Sequence, residues 1–205
     1  VRRVTVFDYG AGNLHSLVKA LAGPDVVVRV ETDPASALDG DALVLPGVGA
    51  FGAAAERLAP GRAAMAAALE AGLPCLGICL GMQLLFDGSD EGSGEGLGVI
   101  PGRVRRLTSA RVPHIGWNAL EGIAGGEEDA LLAAAPLDVV YYAHSYVCAP
   151  RTGETVRAWT DVDGDRFPAL VRRGRTVGVQ FHPEKSSSAG VRFVHAFLAS
   201  IPAAA

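Results

Sequence analysis

Two hydrophobic periods alternate through the first half of the chain. Val26-Val27-Val28-Arg29-Val30 and Ala42-Leu43-Val44-Leu45 are rich in β-branched and aliphatic residues and have the length of strands. Leu14, Leu17, Val18 and Leu21 recur at i, i+3, i+4 and i+7, which predicts an amphipathic helix. A second helix is predicted from about Pro60 to Ala71, carrying Met65 and Leu69. It stops at Gly72, just before a new strand, Pro74-Cys75-Leu76-Gly77-Ile78. Strands alternating with helices predict an α/β architecture whose parallel sheet is covered on both faces.

From Asp87 to Gly96 the sequence is polar, glycine-rich and aperiodic, and is expected to be a mobile surface loop acting as a plain connector. Beyond it the pattern changes to short strands without long helices: Val99 to Leu107, Asp138 to Val147, Val156 to Asp161, Ala169 to Arg172 and Val177 to Phe181. A closing helix is predicted from about Ser188 to Leu198, with Val191, Val194, Phe197 and Leu198 on one face. No internal repeat and no break in composition divides the chain, so one domain over residues 1–205 is expected.

Composition narrows the function classes. Hydrophobic residues make up 49% of the 205, enough for a packed core and too many for a disordered chain. A net charge of −4 lacks the basic excess of a nucleic-acid binder. Three cysteines, Cys75, Cys79 and Cys148, are an odd number in a chain this long, so a reducing, cytoplasmic setting is expected rather than a disulfide framework. No run approaches the ~20 apolar residues of a membrane span, and the chain reads as soluble and unprocessed. Only Lys19 and Lys185 are lysines among 18 basic residues, which makes Lys185 conspicuous.

The strongest chemical signal is Gly77-Ile78-Cys79-Leu80-Gly81, in which an apolar strand passes through G-x-C-x-G into an apolar helix. A turn this sharp holds its central residue in a strained conformation and excludes side chains two residues to either side. A cysteine there would also meet the free N–H groups of a helix N-terminus, which favour its thiolate. The alternative is a small buried cysteine in a glycine turn. Cys75 and Cys148 have no such context and read as core residues, and the Cys-x-x-x-Cys spacing is a poor zinc site.

A thiol nucleophile needs a base, and the base needs an orienting group. Gln180-Phe181-His182-Pro183-Glu184-Lys185-Ser186, at a strand's end, supplies both. In extended chain His182 and Glu184 point the same way, so the carboxylate reaches one ring nitrogen while the other faces the thiol. A surface His-Pro-Glu turn is the other reading of these residues. A third stretch, Leu45-Pro46-Gly47-Val48-Gly49-Ala50-Phe51-Gly52, ends another strand; its N–H groups, with that of Leu80, suit an oxyanion hole, although alone it reads as a glycine turn. His15 and His195 read as helix-surface residues. His114 and His144 fall in aromatic, glycine-punctuated stretches that suit site walls or an interface.

Taken together, the elbow Gly-Ile-Cys-Leu-Gly-Met-Gln, the late His-Pro-Glu and the upstream Pro-Gly-Val-Gly resemble the class I, triad-type glutamine amidotransferases. Asp8 to Leu14, Pro46 to Phe51, Pro113 to Asn118, His144-Ser145-Tyr146 and Gln180 to Ser186 are similar, within that family, to the glutaminase subunits of imidazole glycerol phosphate synthase. The resemblance implies a doubly wound, mostly parallel α/β sheet extended by antiparallel strands in the C-terminal half. It implies a (β/α)8-barrel cyclase partner that consumes ammonia, and no metal or organic cofactor. It implies a Cys79, His182, Glu184 triad, an oxyanion hole at Val48 and Leu80, and glutamine binding by Gly47, Gly49, Gln83, Ser145 and Tyr146. Asn13, Trp117, Tyr142 and Lys185 are expected at the subunit interface, with core packing the alternative for Trp117 and Tyr142.

Val48 stands between two glycines, and a branched residue there is expected to hold its N–H away from the site until a partner biases the loop. Three rival readings stay open at this level: the glutaminase subunit of an anthranilate, aminodeoxychorismate or pyridoxal phosphate pathway, a regulatory binding subunit, and a stand-alone thiol hydrolase. The intact His182 and Glu184 argue against the binding subunit.

Overall fold

The structure is a computed structural model and describes residues 1–10, 14–122 and 129–202. Strands β1 (Arg2–Phe7), β2 (Val26–Glu31), β3 (Ala42–Leu45) and β4 (Cys75–Ile78) alternate with helices α1 (His15–Leu21), α2 (Phe51–Leu58) and α3 (Arg62–Glu70). Short helix α4 (Leu80–Gln83) is followed by β5 (Gly88–Ser89), β6 (Gly102–Arg106), β7 (His114–Ala119), β8 (Glu121–Gly122) and helix α5 (Ala130–Ala134). Strands β9 (Val139–His144), β10 (Tyr146–Pro150), β11 (Val156–Val162), β12 (Asp165–Arg173) and β13 (Thr176–Val179) lead to helix α6 (Ser187–Ser200).

The main sheet has the order β2-β1-β3-β4-β13-β12-β11-β8. Its first five strands are parallel, and β12, β11 and β8 continue it antiparallel. Residue alternation sends the two sides of each strand into two cores. Val4, Val6, Val44 and Ile78 pack with Leu17 and Leu21 of α1 and with Phe193 and Phe197 of α6. Leu43, Leu45 and Cys75 pack on the other face with Phe51, Leu58, Met65 and Leu69 of α2 and α3. Burial on both faces is why β3 and β4 read as unbroken apolar runs. Among the described residues no helix is long and apolar enough to cross a membrane.

Several boundaries differ from the pattern-based expectation. The helix expected from about Pro60 to Ala71 is α3, Arg62–Glu70, and the pattern missed α2 before it, from which the 3-10 turn Ala59–Gly61 separates α3; Gly61 lies so close to Pro34 that a Cβ there would meet it at 2.1 Å. The apolar stretch from Asp138 to Val147 breaks at Ser145 into β9, which pairs with β7, and β10, which pairs with β6. On α6 Phe193 belongs to the buried face, whereas Val191 is half-buried. The segment from Asp87 to Gly96 is no plain connector: Gly88 and Ser89 pair with Arg103 and Val104, and Glu91 Oε2 accepts a 2.9 Å bond from the Phe51 N–H at the start of α2.

Candidate active site

Three strands of the parallel sheet, β3, β4 and β13, end on the same side, where ligands of open α/β sheets bind. Gly47–Gly49 follows β3, Cys79 follows β4, and Gln180 to His182 follow β13. Cys79 has φ 48° and ψ −103°, a strained conformation for a residue with a side chain. Its N–H donates to Val179 O at 2.7 Å and its carbonyl accepts from the Gln83 N–H at 3.0 Å, so both neighbouring elements clamp the turn. The flanking glycines are sterically required. A Cβ on Gly77 would lie 2.7 Å from Gly81 O, and one on Gly81 would lie 2.0 Å from Leu45 O. The helix after the turn is a single turn of four residues, shorter than the sequence pattern implies. The electrostatic benefit to a thiolate therefore comes from local N–H groups rather than from a long helix dipole.

His182 Nδ1 lies 2.8 Å from Glu184 Oε1, and the Cys79 side chain is close enough to the His182 ring to act on its charge. Burial works against a charge on this ring, but the bonds and charges of Cys79 and Glu184 outweigh it and the pKa is pushed up to about 9. Glu184 reaches the ring from a 3-10 turn, Pro183–Lys185, and not along a strand as expected. The two residues that do share the strand-end geometry are Gln180 and His182, and both meet Cys79.

Cys79 opens into a cavity of about 330 Å³. Gly47, Val48, Gly49, Leu80, Gln83, Ser145 and Tyr146, all expected at the site, line it. Gly49 has φ +126°, which only glycine takes readily, and a Cβ on Gly47 would press on His182 Cε1 at 2.9 Å. The Tyr9 hydroxyl donates to Pro46 O at the base of this loop. Burial, chiefly, pushes the Tyr9 hydroxyl pKa well up, so it stays a neutral donor.

Four further groups complete the surroundings without having been assigned a catalytic role from the sequence. Glu91 lines the cavity from the glycine-rich segment, with its Oε2 tied to the Phe51 N–H. Gln180 Nε2 donates to Cys79 Sγ at 3.4 Å. His144 Nδ1 lies 3.1 Å from Tyr146 O, and its Nε2 lies 3.1 Å from His114 Nδ1. A carbonyl only accepts, so His144 carries its proton on Nδ1 and accepts from His114. Burial, aided by His114, lowers the His144 pKa to about 3, which keeps this ring neutral. The signals for Glu91 and Gln180 were a carboxylate after the elbow helix and an i, i+2 spacing from His182.

The expected interface residues separate. Trp117 is 54% exposed on β7 beside Ile115, and Val139 stands exposed on the paired strand β9. Lys185 is exposed. Tyr142 is corrected from the interface to the core: alternation along β9 turns Val140, Tyr142 and His144 inward, and the Tyr142 hydroxyl bonds Thr160 Oγ1 at 2.5 Å. Its neighbour Tyr141 takes the outward side, edge-on to Trp117 at 6.0 Å. Asn13 lies outside the described residues. Cys75 and Cys148 are buried, and burial raises both thiol pKa values. Among the described residues no group of three His, Cys, Asp or Glu side chains is placed to hold a metal ion.

A family model for glutamine amidotransferase class-I matches residues 5–200 of this sequence. The chain belongs to the class I glutamine amidotransferase family. This amidotransferase is 42% identical over 204 residues to imidazole glycerol phosphate synthase subunit HisH of Halobacterium salinarum, a match covering 95% of this chain and 92% of that one. It is 43% identical over 206 residues to imidazole glycerol phosphate synthase hisHF, chloroplastic, of Arabidopsis thaliana, covering 95% of this chain and 34% of that longer protein. Among solved structures, PurLQS from Thermotoga maritima superposes with a TM-score of 0.71 at 22% identity, covering 98% of this chain and 99% of that one, a likeness of fold. Within its family the amidotransferase groups with the HisH subunits.

Proposed function

We propose that this amidotransferase hydrolyses glutamine to glutamate and ammonia at Cys79 and passes the ammonia to a cyclase subunit, which forms imidazole glycerol phosphate and aminoimidazole carboxamide ribotide in histidine biosynthesis. The observation that carries the reading is Cys79, held at φ 48° in the wall of a cavity and coupled electrostatically to a His182 that Glu184 orients.

In this reading the Cys79 thiolate attacks the carboxamide carbon, and N–H groups of Leu80 and of the Val48 loop hold the oxyanion. The His182 imidazolium gives its proton to the departing ammonia, leaving a γ-glutamyl thioester. His182, now neutral, takes a proton from water as that water attacks the thioester; glutamate leaves and the thiolate returns. Glu184 keeps the ring oriented and supports its charged form. Gly47, Gly49, Gln83, Ser145 and Tyr146 hold the substrate, and the Glu91 carboxylate faces its α-ammonium group. Val48 withholds its N–H until the partner biases the loop.

The partner is a (β/α)8-barrel cyclase that covers the apolar face of β7 and β9, where Ile115, Trp117 and Val139 stand exposed. Ile115 also lines the cavity, so that face and the site share a wall. Lys185 lies at the border of this interface, and the assembly works in the cytoplasm.

Glutamate release decides the reading when measured for the chain alone, with the cyclase subunit and its nucleotide ligand, and with Cys79→Ala. Low activity alone, large activation on mixing and none in the variant are expected. High activity alone would retain the three residues and reject the switch, and inactivity in every mixture would reject this acceptor.

A further inference from the structure

Gln180 is fully buried at the end of β13, with its backbone N–H fixed to Ala169 O at 3.0 Å. Strand β13 runs parallel to β4 with Val179 opposite Ile78, so Gln180 comes level with the elbow, one strand across. Its Nε2 donates to Cys79 Sγ at 3.4 Å, and its Oε1 accepts from Gln83 Nε2 at 3.5 Å. Gln83 Nε2 in turn donates to Tyr146 O at 3.0 Å. The orientation of both amides follows from this chain. Reversing Gln83 would set its oxygen against the Tyr146 carbonyl, and reversing Gln180 would set two NH2 groups against each other. The N–H therefore faces the sulfur.

We propose that Gln180 is a positioning residue of the glutaminase reaction, holding the Cys79 sulfur with an N–H donor that stabilises negative charge on it. His182 cannot do this alone, because it gives its proton to the departing ammonia. An amide neither gains nor loses a proton in this range, so Gln180 stays a donor through both half-reactions. It supports the attacking thiolate, and it supports the same sulfur as the leaving group when water opens the thioester. The proposal rests on the glutaminase reading for its consequence in turnover, whereas the contact itself is testable without glutamine.

The test is the pH dependence of Cys79 alkylation by iodoacetamide, on the full chain without glutamine or partner, for wild type, Gln180→Met and Gln180→Glu. Met removes donor and acceptor at similar volume; Glu is isosteric and sets a carboxylate against the sulfur. The titratable groups around Cys79 are His182 with Glu184 behind it, Tyr9 just after β1, Cys148 on β10, and His144, Tyr146 and Glu91, which line the same cavity; Cys75 lies further down β4. Burial raises the pKa values of Tyr9, Cys75 and Cys148, and the two cysteines are shielded from the reagent.

Gln180→Met should move the alkylation inflection up by about one pH unit. Gln180→Glu should move it further. With the cyclase subunit present, kcat for glutamine hydrolysis in Gln180→Met should fall about tenfold while KM stays close to wild type, because Gln180 does not line the cavity. An unmoved inflection in whichever variant retains the wild-type circular dichroism overturns the proposal. A moved inflection in a chain that never hydrolyses glutamine upholds the Gln180 contact and counts instead against the functional reading.

Discussion

His182 Nδ1 and Glu184 Oε1 meet at 2.8 Å across one 3-10 turn whose first residue is Pro183. The turn is tied at both ends: the His182 N–H donates to Tyr141 O at 2.8 Å, and the Ser186 hydroxyl donates to His182 O at 2.7 Å. The same Ser186 oxygen accepts the Tyr141 N–H at 2.9 Å, so β9 and the turn form one unit. The ring has little freedom to leave Cys79, and the interactions of Cys79 and Glu184 with that confined ring push its pKa up in spite of burial.

A limit on activity at high pH follows. His182 must be protonated to release ammonia, so kcat should fall as pH rises through about 9. Glu184→Gln removes one of the causes of the raised value and should move that fall to lower pH. The same shift carries a stability term. The folded pKa lies above the ordinary histidine value of 6.5, so the contribution is complete below about 6.5 and lost as pH rises through about 9. Urea titrations across that window should show the loss in wild type and a flatter profile in His182→Asn.

The elbow should tolerate no side chain at its glycines. Gly81→Ala places a methyl 2.0 Å from Leu45 O, a backbone atom that can move only with β3. It should lower stability by about 2 kcal/mol or more and abolish turnover. Gly153→Ala, where a Cβ meets nothing within 4 Å, should stay within about 0.5 kcal/mol of wild type in the same urea titration.

Tyr9→Phe keeps the ring and removes the donor to Pro46 O. The buried carbonyl loses its partner, at a cost of about 1–2 kcal/mol. Pro46 leads directly into Gly47–Gly49, so partner-stimulated kcat should fall more than KM rises, as steady-state kinetics would show.

Trp117→Ala should weaken stimulation by the cyclase subunit while leaving Cys79 alkylation in the isolated chain unchanged. Trp117 is exposed and its contact is Tyr141 on the paired strand. Tyr142→Phe, by contrast, should act on stability, because the Tyr142 hydroxyl is paired inside the core with Thr160. Binding titrations and melting curves separate the two effects.

The legible parts of the molecule were those in which one short stretch of chain determines its own surroundings. Strands β3 and β4 are buried on both faces and carry no polar residue to interrupt the run. The elbow announces itself through Gly77 and Gly81, whose positions would otherwise clash. Strand β7 was missed because Ile115 and Trp117 are apolar and point outward, which inverts the usual pattern. The Tyr141 and Tyr142 pair shows why adjacent aromatics mislead: which one turns inward depends on the phase of β9, set by its pairing with β7. Glu91 was hidden in a glycine-rich segment because its partner, the Phe51 N–H, lies 40 residues earlier.

The central claim is that glutamine is opened by Cys79 through a thioester, and acid-quench mass spectrometry tests it most directly. The chain would be mixed with the cyclase subunit, its nucleotide ligand and glutamine, stopped in acid during turnover, and digested. A γ-glutamyl adduct on the peptide containing Cys79, absent from Cys79→Ala, is the predicted result. Turnover that persists in Cys79→Ala, or an adduct on Cys75 or Cys148, would contradict it.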